Sequence, residues 1–145
     1  MSQITSYTTD IRLDEVASGA DLQDDPGWHL LRAAVEAAAV EHHGKVGDHV
    51  LDYFLRRRTC DIALYTPAFQ RGVGIEVDRA TGEVRFLYDD YERPELVAEY
   101  REDIMQNFVT LAVARALKDM NYDVEVEDPG RTAGRRRAVV VRGEL

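Results

Sequence analysis

Two hydrophobic periods alternate along the chain, and each change of period marks a change of element. Residues 3–12, QITSYTTDIR, are dominated by β-branched and aromatic types and predict a strand. Residues 13–25 turn acidic and irregular, with Asp14, Glu15, Asp21, Asp24 and Asp25, and predict a connector containing a helical turn. A helix starts at Asp25-Pro26. The aspartate accepts hydrogen bonds from the free first-turn amides, and proline lacks a donor that would find no partner there. Leu31, Val35, Ala38 and His42 recur at helical spacing until Gly44. His42 and His43 stand in the last turn, where the helix dipole favours positive charge.

From Lys45 the period becomes two. Val50–Leu55 and Cys60–Tyr65 predict strands, with Cys60, Ile62 and Leu64 on one face. Ile75 and Val77 predict pairing with Val84 and Phe86 across the turn Asp78–Gly82, leaving Glu76, Glu83 and Arg85 on the other face. Strands with one apolar and one charged face suit an antiparallel sheet covered by helices on one side. The run Glu95–Met120 carries a stripe of Tyr100, Ile104, Phe108, Ala112, Ala116 and Met120. Its middle, MQNFVTLAVARAL, is apolar nearly all round and predicts the main core helix. Asn121 is a natural left-handed stop. Tyr122, Val124 and Val126 alternate with acids as a strand, DPGRTAGRR is a loop, and Ala138–Val141 predicts a last strand closing the sheet. The order is β-α-ββββ-α-ββ. It predicts an α+β two-layer sandwich, a largely antiparallel sheet with two helices on one face, as a single domain over residues 1–145.

Composition narrows the function classes. No segment approaches the ~18 consecutive apolar residues of a membrane span. The opening MSQITSYTTD has neither a basic region nor an apolar core, so no secretion signal is expected. A single cysteine, Cys60, excludes an internal disulfide and fits a reducing cytoplasm. The net charge of −9 opposes general nucleic-acid binding, because neutralising phosphates needs cations. Residues 131–145 reverse the sign locally, with Arg131, Arg135, Arg136, Arg137 and Arg142 against Glu144.

Few side chains promise chemistry. His42, His43 and His49 with Asp48 and Cys60 are the metal-like group, but adjacent histidines on a helix diverge by about 100°, and a zinc site wants about four convergent ligands. They read as helix-end residues, and no metal or cofactor is expected. Cys60 begins an apolar strand face and reads as a small hydrophobe rather than a nucleophile. Gly72-Val73-Gly74 precedes a strand, not a helix, so it reads as a bend or close backbone approach rather than a phosphate loop. No G-x-x-x-x-G-K-[ST] motif occurs. The contact-surface candidates are the arginine triplets Arg56, Arg57, Arg58 and Arg135, Arg136, Arg137, and the acidic-aromatic segment Tyr88, Asp89, Asp90, Tyr91 before Pro94.

Several blocks carry a resemblance. They are Gly72-x-Gly74-Ile75-x-Val77, Thr81-Gly82-x-Val84-x-Phe86, Tyr88-Asp89, Ile104-x-Gln106-Asn107-Phe108, Ala114-Arg115-Ala116-Leu117, Asn121-Tyr122-x-Val124 and Val139-Val140-Val141-Arg142-Gly143. Over about residues 46–143 the chain resembles the small family of unknown function typified by the plastid and cyanobacterial hypothetical reading frame thirty-five. Phe108 stands where many members have tyrosine, so no role for that hydroxyl carries over. The resemblance implies a two-layer α/β protein without established catalytic residues, and an accessory role beside AAA-type ATPases. The expected function is therefore a non-catalytic adaptor binding a protein partner, an AAA-type ATPase, in the cytoplasm. The alternatives are an RNA- or phosphate-binding module using the arginine triplets, and a small enzyme with a sheet–helix pocket involving Cys60 or His49.

Overall fold

The computed structural model describes residues 3–120 and the backbone of four further strands, Asp123–Glu127, Arg131–Thr132, Arg136–Arg137 and Val140–Glu144. Strand β1 (Thr5–Arg12) leads into a one-turn helix α1 (Asp14–Ala17) and a 3-10 turn at Leu22–Asp24. Helix α2 (Pro26–Glu41) follows, then the strands β2 (Lys45–Leu51), β3 (Arg57–Thr66), β4 (Phe69–Val77) and β5 (Glu83–Tyr88). Helix α3 (Pro94–Asp119) precedes β6 (Asp123–Glu127), β7 (Arg131–Thr132), β8 (Arg136–Arg137) and β9 (Val140–Glu144).

The fold is α+β: an open, antiparallel five-stranded sheet in the order β1-β5-β4-β3-β2, with helices packed on it. Strands β2 to β5 form a meander, and β1 returns to the far edge, placing Thr5 opposite Tyr88 and Arg12 opposite Glu83. The last hairpin departs from expectation. β9 pairs with β6 in a separate two-stranded sheet and does not close the main one.

Local chemistry sets the helix ends. Asp25 Oδ1 accepts from the Gly27 amide (2.8 Å) and Oδ2 from the Val16 amide (3.1 Å), so one carboxylate caps α2 and ties it to α1. At the other end the left-handed residue is His43 (φ 56°). Gly44 is required by crowding instead, since a Cβ there would lie 2.0 Å from the Tyr65 carbonyl oxygen.

The core lies between the helices and one sheet face. Trp28, Leu31 and Val35 of α2 and Val97 and Ile104 of α3 are buried against Ile62, Leu64, Ile75 and Phe86. α3 is not the main core element. Its buried residues stop at Asn107, and Val109, Val113 and Met120 are exposed. It packs chiefly on α2, close enough for Asn107 Nδ2 to donate to the Ala34 carbonyl at 3.1 Å, and it touches β6 and β9 farther along. The small side chains of Ala34 and Ala38 permit that approach, while α2 lies directly on β2 and β3.

Cys60 does not share a face with Ile62 and Leu64. Gly47 pairs with Ala63 and His49 with Thr59, so residues 60–62 of β3 stand opposite Asp48 alone. This bulge turns Cys60 to the other face, where it joins Val50, Ala63 and Leu87 in a small second cluster. The sheet curls there, bringing β2 over β4. Gly74 leaves the necessary room: a Cβ on it would meet Cys60 Sγ at 2.8 Å and Val50 Cγ1 at 2.9 Å. The Gly72-Val73-Gly74 motif lies inside β4, in keeping with a place of close approach.

Candidate functional site

The predicted strand Val50–Leu55 ends at Leu51, because Asp52 closes a tight loop. Its Oδ1 accepts from the amides of Phe54 and Arg56, both at 2.9 Å, and Oδ2 meets Arg56 Nε at 2.6 Å. Burial tends to raise the Asp52 pKa, but the Arg56 and Phe54 amides and the Arg56 guanidinium outweigh it and hold the carboxyl below its usual range. The loop throws Tyr53, Phe54 and Leu55 outward.

The same loop meets the segment after β5. Asp89 Oδ2 accepts from the Tyr53 amide at 2.8 Å, and its Oδ1 from the Tyr91 amide at 3.1 Å. The Tyr53 ring lies edge-on to Tyr91 (4.7 Å, 73°) and to Phe54 (5.6 Å, 86°). Arg71 of β4 completes the group: its guanidinium stands 5.4 Å from the Tyr53 ring centre and donates to the Tyr91 carbonyl at 2.5 Å. Arg56 stands 5.7 Å from the Phe54 ring. Tyr53, Phe54, Leu55 and Tyr91 are 40%, 66%, 69% and 43% exposed, so the result is a held aromatic platform. Leu55 (φ 65°) and Glu92 (φ 70°), both in left-handed backbone, lie in these two segments.

The sequence candidates fare unequally. Tyr91 stands on the platform, whereas Tyr88 and Asp89 are buried, at 5% and 1% exposure. Tyr88 ends β5 beneath Arg101, which also covers the Tyr7 ring at 4.1 Å. Asp89 is the acceptor that holds two loops together. Asp90 is half-buried, and its carbonyl accepts from the Arg93 amide at the entry to α3. Arg56, Arg57 and Arg58 are exposed, yet each faces a carboxylate: Asp52 at 2.6 Å, Asp48 at 3.4 Å and Glu76 at 3.4 Å. Arg135 lies outside the described residues, and of Arg136 and Arg137 the backbone alone is described, in β8. Sequence reasoning missed Tyr53, Phe54, Leu55 and Arg71. The signal was the unbroken Tyr-Phe-Leu run after Asp52, which does not alternate as a strand should.

The catalytic candidates do not assemble. Burial pushes the Cys60 thiol up to about 12, against a backbone hydrogen bond from Ile75 and aided by the Asp61, Asp48 and Glu76 carboxylates. A thiol so held is protonated at neutral pH and inert as a nucleophile. His49 Nδ1 lies 3.0 Å from Asp48 Oδ1, and Tyr65 donates its hydroxyl to the His49 carbonyl at 2.5 Å. An open cleft of about 550 Å³ runs beside them, lined by His43, Lys45, His49, Tyr65 and Gln70 among others. His42 turns away from this group toward α3.

No family model, no curated protein and no solved structure matches the chain. Among the described residues no helix is long and apolar enough to cross a membrane.

Proposed function

We propose that the chain is a non-catalytic accessory protein that binds a protein partner in the cytoplasm through the platform of Tyr53, Phe54, Leu55 and Tyr91. The partner we propose is an AAA-type ATPase, the kind of neighbour that the resembled family implies. One observation carries the reading: four large apolar side chains from two separate segments are held outward at one place, with two arginines at their edges. Tyrosine and arginine are enriched among the residues that dominate binding energy at interface centres, tyrosine because its ring buries large area with few rotamers to lose and arginine because its planar guanidinium offers several donors and stacks on rings. A folded chain gains nothing by exposing Phe54 and Leu55 in isolation.

The arginine triplet 56–58 supports this reading better than phosphate recognition, since its charges already face carboxylates. The inert thiol of Cys60 likewise disfavours the enzyme reading.

The test is recovery of a purified ATPase partner on immobilised wild-type chain and on a Tyr53→Ser/Phe54→Ser variant, in the presence of nuclease. Wild type should retain the partner stoichiometrically, and the variant should lose binding by at least about 2 kcal/mol, roughly thirtyfold, as interface anchors do. Equal retention by both would rule out the platform as the binding surface.

A further inference from the structure

The end of α2 carries a second constellation, separate from the platform. Glu41 and His42 face Asp103 of α3, with His42 Nε2 at 2.7 Å from Asp103 Oδ2 and 3.9 Å from Glu41 Oε2. Their side chains are 12%, 12% and 10% exposed. One ligand-type atom from each residue lies within 4.8 Å of the other two. Metal–ligand bonds of about 2.0–2.2 Å at tetrahedral angles put two ligands of one ion roughly 3.3–3.6 Å apart. Coordination requires the 2.7 Å contact of His42 Nε2 with Asp103 Oδ2 to open by about 0.6–0.9 Å and Glu41 Oε2, at 3.9 Å, to close in slightly.

We propose that Glu41, His42 and Asp103 form a site for a divalent first-row transition ion, Zn²⁺ or Mn²⁺, that clamps α2 to α3. The donor set of one imidazole nitrogen and two carboxylates suits these borderline and hard ions rather than a soft one such as Cu(I). The site lies at the carboxyl end of α2, where the helix dipole favours a cation. Its imidazole is already positioned. The Tyr100 ring meets it edge-on at 4.7 Å and 69°, and Tyr100 is itself fixed by a 2.9 Å hydrogen bond between its hydroxyl and Thr66 Oγ1. The three side chains keep 10–12% of their surface exposed, which leaves an edge for water in the remaining coordination positions. Three protein ligands plus solvent is the arrangement of an open rather than a closed centre.

A plain hydrogen-bonded triad would use the same residues, and metal titration separates the two. The full-length chain, stripped with chelator, is titrated calorimetrically with Zn²⁺ and with Mn²⁺, and with Co²⁺ as an absorbing probe. One ion per chain should bind, with a rise in Tm and cobalt d–d bands shifted and intensified relative to the hydrated ion, a change that His42→Gln should reduce. Asp103→Asn and His42→Gln should weaken binding by more than the roughly 100-fold that loss of an outer partner alone produces. Glu41→Gln leaves the His42–Asp103 contact in place, so it keeps the fold, and it should still weaken binding at least about tenfold. A His43→Gln/His49→Gln chain should bind as wild type does. Absence of binding to wild type, or affinity unchanged in Glu41→Gln and His42→Gln, would overturn the proposal; binding lost in the His43/His49 variant would assign the ion to surface histidines instead.

Discussion

Leu55 holds a left-handed backbone, φ 65°, which costs a residue with a side chain about 1–2 kcal/mol, and it leaves that side chain 69% exposed. Neither folding nor burial rewards leucine at this position, whereas glycine would relieve the strain at an entropic cost of similar size. Leu55→Gly should therefore change unfolding free energy by less than about 1 kcal/mol in urea titration. The same change should weaken partner binding measurably, by surface plasmon resonance, if the platform is the interface. A large loss of stability would mean that Leu55 serves the fold. Tyr88 and Asp89 show why single residues were hard to place from sequence. In the order Tyr-Asp-Asp-Tyr all four read as surface, yet the chain leaves β5 so that the first two turn inward and the last turns outward. The buried Asp89 is balanced by two amides, one of them 36 residues away in sequence, which no local pattern encodes.

Strands and helices were legible because their signals are local. The Asp25-Pro26 start of α2, the Pro94 entry to α3 and the alternation in β4 and β5 all stand where periodicity and capping put them. The β3 bulge was not legible, since a register shift depends on the partner strand. Its packing consequence can be tested at Gly74, where β2 folds over β4. Gly74→Ala forces a methyl against Cys60 and Val50 and should destabilise the chain by about 1–3 kcal/mol, read as a lower urea midpoint at unchanged m value. A neutral result would show that the second cluster is loosely packed. For α3 the sequence overstated burial: an all-round apolar stretch reads as core, but the helix leans on α2 and leaves Val109 and Val113 open.

Among the described residues, the arginines of the 56–58 triplet are arranged as ion pairs rather than as an open cationic face. A net charge of −9, with each arginine of the 56–58 triplet opposite a carboxylate, predicts that purified protein carries no nucleic acid. Its absorbance ratio at 260 and 280 nm should be that of protein alone, and filter binding of single-stranded RNA at about 50 mM salt should show no retention, a salt at which phosphate-binding proteins are strongly held. Retention that falls steeply with salt would restore the RNA reading. Element type, element order and the α+β class follow from periodicity and end-capping along the chain, because those forces act within a few residues. The meeting of Asp52–Leu55 with Asp89–Tyr91, and of His42 with Asp103 across 61 residues, follows from strand order, a bulge and the helix–helix contact. Those are set by packing between distant segments, and packing chooses partners that a linear pattern leaves unspecified.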